Sequence, residues 1–172
     1  NARDKSRFRG RWLCTARGCR YECSYCGGCR SAQQTLAGRQ GIVPRSADKM
    51  VDDLCRLQAD QVIQASFSYD IAEMGEAYWR ALFEHMRERE VRIGLYNEFF
   101  QLPPREFVYE FVKRVDVPQS CVAFSPLSGS ERVRRLNGKR YSNEELFEVL
   151  NLLNQYNISI FVYFSLNLPG ED

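Results

Sequence analysis

Short runs rich in β-branched and aromatic residues alternate with stretches of helical period along this 172-residue chain, and the alternation predicts an α/β fold with a parallel sheet. Three observations carry that expectation. Each strand–helix unit takes about 30 residues, the length of a right-handed βαβ crossover. The run at 158–164 is almost continuously apolar, as in a parallel strand buried on both faces. The last helical stretch opens on Ser142 with Glu145 three residues later, the pattern of a capping box. Five strands and four intervening helices fit either a doubly wound sheet or part of a (β/α) barrel. Periodicity does not separate the two, and both place function at the carboxyl ends of the strands.

The expected strands lie at 12–15, 62–67, 91–96, 121–125 and 158–164. The first helical stripe is Met50, Val51, Leu54 and Leu57; the second is Tyr78, Leu82 and Met86. Phe107, Val108, Phe111, Val112 and Val115 form the third behind Pro104, and Leu146, Val149, Leu150 and Leu153 the fourth. Residues 27–44 read as a long loop. Polar residues follow the strands: Ser68-Tyr69-Asp70, then Asn97-Glu98, then Ser125 with Ser128-Gly129-Ser130, and last Ser165, Asn167 and Pro169-Gly170-Glu171. Together they would line one rim of the sheet, as a concave site requires.

Hydrophobic and charged fractions of 44% and 27% are those of an ordinary globular domain. No apolar run approaches the roughly 20 residues that span a bilayer, and the charged first ten residues are unlike a secretory signal. The chain reads as cytoplasmic, with no membrane partner. The net charge of +2 is uneven: ten Lys or Arg against two acids up to Arg45, then 14 against 20. A basic start suits phosphate, but no nucleic-acid-binding module accompanies it, so nucleic acid is not an expected partner. Asn1-Ala2 is set aside as a cloning remnant, leaving 3–172 as one domain.

Five of seven cysteines crowd between Cys14 and Cys29, which in a cytoplasmic chain argues for metal before disulfides. Cys55 and Cys121 lie apart in apolar contexts, as small buried hydrophobes do. The spacing is Cys14-x4-Cys19-x3-Cys23-x2-Cys26-x2-Cys29. Structural zinc normally takes four ligands from two separated pairs, and here there is no second pair and the sole histidine, His85, is in a helical stretch. Two iron–sulfur triplets remain. Cys23, Cys26 and Cys29 resemble a ferredoxin run without its later Cys-Pro. That triplet corresponds to an electron carrier or a structural Cys-rich module.

The other triplet, Cys19-x3-Cys23-x2-Cys26, with Tyr25 before the third cysteine and Gly27-Gly28 after it, resembles the signature of the radical S-adenosylmethionine (SAM) superfamily. The likeness runs from Arg11 to Glu171. The stretch from Ser128 to Lys139 and the one from Tyr163 to Glu171 are similar to a branch often fused to a cobalamin-binding domain. It implies an α/β fold, a partial (β/α) barrel of parallel strands cut before its sixth strand, in a fragment of a longer protein.

The resemblance also implies chemistry. Cys19, Cys23 and Cys26 would hold a [4Fe–4S] cluster whose fourth iron is chelated by SAM, and reductive cleavage would yield a 5′-deoxyadenosyl radical. Tyr25 would offer backbone atoms to adenine, with Gly27 and Gly28 beside it. Leu166 and Leu168 would sit near adenine, and Ser125 or Ser128 near the ribose. The family's Gly-Gly-Glu after the second strand appears as Ser68-Tyr69-Asp70, with Asp70 left to accept from the SAM amino group, and a family Glu is replaced by Leu127. Cys14 and Cys29 are outside the signature. Expected partners are a reductant such as flavodoxin or ferredoxin, a cobalamin-binding domain in the same full-length chain, and a substrate the sequence does not name. Related barrels methylate, methylthiolate, cyclise and rearrange.

Overall fold

The computed structural model describes residues 10–171, so Asn1-Ala2 and the start of the domain at residue 3 lie outside the described residues. Five strands form one all-parallel sheet in the order β1 (Gly10–Leu13), β4 (Gln64–Phe67), β5 (Gly94–Phe99), β6 (Cys121–Leu127) and β7 (Ser159–Phe164). Each matches an expected strand to within a few residues. The sheet is flanked by α2 (Ala47–Ala59), α3 (Glu76–Glu88), α4 (Arg105–Arg114) and α6 (Asn143–Gln155), the four expected helices. It is an open sheet, not a closed barrel.

The helices bury their stripes on one face of the sheet. Met50, Leu54, Trp79, Leu82, Phe83, Phe107 and Phe111 pack with Ala65, Leu95 and Val122 of the strands. Trp79, Phe83 and Phe99 surround Phe107 with ring centroids 5.4–5.6 Å away, edge-on or tilted, as aromatic quadrupoles prefer. Ser46 caps α2 by accepting from Lys49 N, and the capping box of Ser142 and Glu145 opens α6 as its sequence predicts.

The other sheet face is not packed this way. Along β5, Leu95, Asn97 and Phe99 are buried while Tyr96 and Glu98 between them are partly open. The expectation that 158–164 is buried on both faces is corrected: Phe161, Tyr163 and Phe164 of β7 are exposed, Phe164 by 64%. Among the described residues β7 pairs only with β6, so nothing covers its second edge. Its apolarity therefore does not report burial here.

The region 27–44 is also not a long loop. It contains α1 (Arg30–Ala37) and β3 (Gly41–Pro44), and β3 pairs antiparallel with β2 (Ala16–Cys19). The hairpin depends on Gly18, whose φ is +88° and whose missing side chain leaves room for the Gly41 carbonyl. A short helix, α5 (Glu131–Leu136), follows β6, with Ser130 accepting from Val133 N.

Candidate active site

The carboxyl ends of the strands and the cysteine loop enclose a cavity of about 290 Å³. Cys19, Cys23 and Cys26 line it together, beside Tyr21, Tyr25, Glu98, Ser125, Leu127, Lys139 and Tyr163. The thiols sit on different supports. Cys19 is the last residue of β2, paired with Gly41, while Cys23 and Cys26 lie on successive turns where Cys26 N donates to Cys23 O and Cys29 N to Cys26 O.

Backbone amides are aimed at the sulfurs. Tyr21 N donates to Cys19 Sγ and Gly28 N to Cys26 Sγ, each across 3.4 Å. Burial pushes the Cys19 thiol up, the Tyr21 amide opposes it, and the neighbouring Cys23 and Cys26 add to the rise. Bound metal removes such protons outright. Ser24 Oγ donates to Asn137 Oδ1 across 3.1 Å, and Tyr21 packs edge-on against Phe100, so the loop is fastened to both α5 and β5.

Three soft sulfur donors around one volume, two of them accepting from backbone amides, fit an iron–sulfur cluster. Among the described residues no three His, Cys, Asp or Glu side chains converge on the point a single ion would occupy. Cys14 and Cys29 do not line this cavity. Cys14 Sγ donates to Ala16 O, and Cys29 Sγ donates to Glu22 Oε1 across 3.4 Å within a group that includes Arg30 and Ser31. His85 pairs with Glu88 on α3. Cys121 is buried and pushed up to about 11 by desolvation, while Cys55 packs partly against the core.

The strand ends supply the rest of the wall. Ser125 Oγ donates to Glu98 Oε1 across 2.9 Å, joining β6 to β5 at the cavity. The register of β6 against β7 shifts between Phe124 and Leu127, and Leu127 takes a φ of +72°, unusual for a non-glycine residue. Leu127 thereby lines the cavity as an apolar residue. Tyr25 is 44% exposed, and burial together with Cys23 and Cys26 raises its phenol.

Several expected ligand contacts lie elsewhere. Asp70 is 1% exposed and turned inward: Oδ1 accepts from Ala72 N and Asn97 Nδ2, and Oδ2 from Phe100 N. Three N–H donors occupy the carboxyl that was expected to meet the SAM amino group. Leu168 is buried with Leu127 and Val133 in a satellite cluster, Leu166 is 87% exposed, and neither lines the cavity. Ser128 accepts from Ser130 N at the start of α5, and Gly27 stands open.

Sequence reasoning placed Glu98 on the rim without assigning it a role, and named Lys139 only as the end of the family-like stretch; both line the cavity. The stretch that resembles the family between Ser128 and Lys139 contained the signal. It delivers Gly138 and Lys139 to the cavity behind α5.

The model of the Radical SAM superfamily matches residues 13–172. No curated protein sequence matches the chain. Among solved structures, the radical SAM methyltransferase TsrM from Kitasatospora setae, with tryptophan substrate and a SAM analogue bound, is similar at a TM-score of 0.75 and 18% identity. That match covers 95% of this chain and 32% of TsrM. TsrM with cobalamin and a [4Fe–4S] cluster aligns at a TM-score of 0.70 and 20% identity, covering 95% of this chain and 33% of that one. The cobalamin-dependent SAM radical enzyme OxsB, with aqua-cobalamin bound, aligns at 0.67 and 17% identity, covering 89% of this chain and 23% of that one. The chain thus spans a third or less of these relatives, and likeness at such identity concerns the fold, a partial (β/α) barrel.

Proposed function

The chain belongs to the radical SAM superfamily, and from that premise we propose that Cys19, Cys23 and Cys26 hold a [4Fe–4S] cluster in a SAM-cleaving enzyme core. One observation carries the reading: the three signature thiols, and neither Cys14 nor Cys29, line the cavity that Glu98, Ser125 and Tyr25 also line. When bound, the cluster supplies the electron that splits SAM into methionine and a 5′-deoxyadenosyl radical.

The chain's own residues bind, orient and exclude. The amides of Tyr21 and Gly28 donate to two of the sulfurs that would ligate the cluster and fix where they point. Glu98 and Ser125 present a carboxylate and a hydroxyl where ribose hydroxyls find partners. Tyr25, with Gly27 and Gly28 after it, offers backbone groups to the adenine edge. Phe100, Leu127 and Tyr163 form apolar wall that keeps water from a reactive radical. Ser128, Leu166 and Leu168 stay in the proposal as ligand contacts only if their loops close over bound SAM. Asp70 drops to a supporting role, holding the end of β5 that carries Glu98 and Phe100.

The proposal extends to a cobalamin-binding region and to methyl transfer, supported by likeness to TsrM and OxsB, and to a flavodoxin- or ferredoxin-type reductant. No helix among the described residues is long and apolar enough to cross a membrane. The test is anaerobic reconstitution with iron and sulfide, then dithionite and SAM. Formation of 5′-deoxyadenosine is expected; a fully loaded full-length protein that never forms it overturns the reading.

A further inference from the structure

Lys139 is 6% exposed, yet among the described residues no carboxylate lies within ion-pair distance of it. One of its three ammonium donors goes to Phe100 O across 2.7 Å, and among the described residues no side chain takes the other two. Burying a charge so sparsely paired is costly unless an anion arrives to meet it. The cavity that Lys139 lines is the one that Cys23 lines. The chain brings them close, since a Cβ added to the adjacent Gly138 would stand 4.0 Å from Cys23 Sγ. Desolvation lowers the ammonium's pKa, while the nearby Cys23, Glu98, Asp70 and Glu73 act in the opposite direction.

We propose that the Lys139 ammonium is the counter-charge of the cluster and sets its reduction potential, a proposal that rests on Cys19, Cys23 and Cys26 holding that cluster. A cubane on three thiolates becomes one unit more negative when it accepts an electron. A fixed positive charge beside it stabilises the reduced form more than the oxidised one, so it raises the potential. The step is electron transfer from an external reductant. Lys139 forms and breaks no bond and keeps its protons. A hydrogen bond from the ammonium to Phe100 O fixes where the charge sits, which makes Lys139 a positioning and tuning residue rather than a reacting one.

The experiment is an anaerobic redox titration of the reconstituted full chain, followed by electron paramagnetic resonance, for the parent, Lys139→Gln and Lys139→Arg. Glutamine keeps a donor for Phe100 O but loses the charge. Its reduced-to-oxidised ratio at a fixed potential should fall about tenfold, a shift of about 59 mV to the negative for one electron. Arginine keeps the charge and should titrate with the parent. If Lys139→Gln takes up no cluster, Lys139→Arg decides: a parental potential supports the proposal, and a displaced one overturns it. Full cluster loading with an unchanged potential in Lys139→Gln also overturns it. Should that variant instead bind SAM more weakly at an unchanged potential, the ammonium belongs to the SAM carboxylate. A parent that takes up no cluster would sink the proposed function first and this inference with it.

Discussion

Asn97 Nδ2 donates to Asp70 Oδ1 across 3.1 Å, tying the loop after β4 to the middle of β5 in the interior of the protein. The same amide accepts from Ile71 N through Oδ1, and Asp70 Oδ2 accepts from Phe100 N. The rim beneath the cavity is therefore held by one carboxyl and one carboxamide. Deleting either would leave buried donors unmatched.

Burial pushes Asp70 up to about 7, against the hydrogen bonds from Phe100 and Asn97. Between the ordinary carboxyl range, about 4, and about 7, the folded protein then holds a proton that the unfolded chain has lost. The stability contributed by Asp70 is full below about 4 and is lost as pH rises through 7, at no more than about 1.4 kcal/mol per unit. Urea unfolding across this window should show the parent losing stability relative to Asp70→Asn as pH rises. Parallel pH profiles would remove the argument.

Cys19→Ala, Cys23→Ala and Cys26→Ala should each abolish cluster uptake, measured as iron and sulfide per chain after anaerobic reconstitution. Cys14→Ala and Cys29→Ala should load like the parent, because neither thiol lines the cavity. Loss of iron in Cys29→Ala alone would return the ferredoxin-like triplet to contention.

Gly18→Ala should weaken cluster binding from outside the site. Its φ of +88° disfavours a side chain, and the added Cβ would lie 2.1 Å from Gly41 O. The strain, of the order of 1–3 kcal/mol, falls on the hairpin that carries Cys19. Reduced iron content with far-ultraviolet circular dichroism close to that of the parent is the expected pair of results.

Ser125→Ala should leave iron content unchanged and raise the dissociation constant for SAM about tenfold, the effect of losing roughly one net hydrogen bond. Calorimetry on the reconstituted protein measures it. Unaltered affinity would remove Ser125 and its partner Glu98 from the ribose contacts.

The sheet and its four large helices were legible because their cores are local and periodic. Met50, Leu54, Phe107 and Phe111 repeat at helical spacing and are buried together. The hairpin of β2 and β3 was not, since Ala16–Cys19 has no alternation and its partner strand begins 22 residues after Cys19, at Gly41. Helix α1 buries no residue, so it has no stripe to find, although Gly38 with φ +61° closes it in the manner of a helix-ending glycine. In the site, spacing left two cysteine triplets open, and the structure brings Cys19, Cys23 and Cys26, without Cys29, to one cavity. The inward turn of Asp70 was not legible, because only the fold brings Phe100 N to its carboxyl. Lys139 was silent for a similar reason: a lysine in a basic stretch reads as solvated until its surroundings are known.

Strand β7 has a colloidal consequence. Its six residues, Ser159–Phe164, carry no charge, and among the described residues nothing pairs with its second edge, which lies beside exposed Phe161, Tyr163 and Phe164. Such an edge is a template for a second chain, so the isolated polypeptide should scatter light increasingly as it is concentrated. One lysine in place of Phe164 would interrupt that stacking, leaving the thiols on the far side of the cavity untouched.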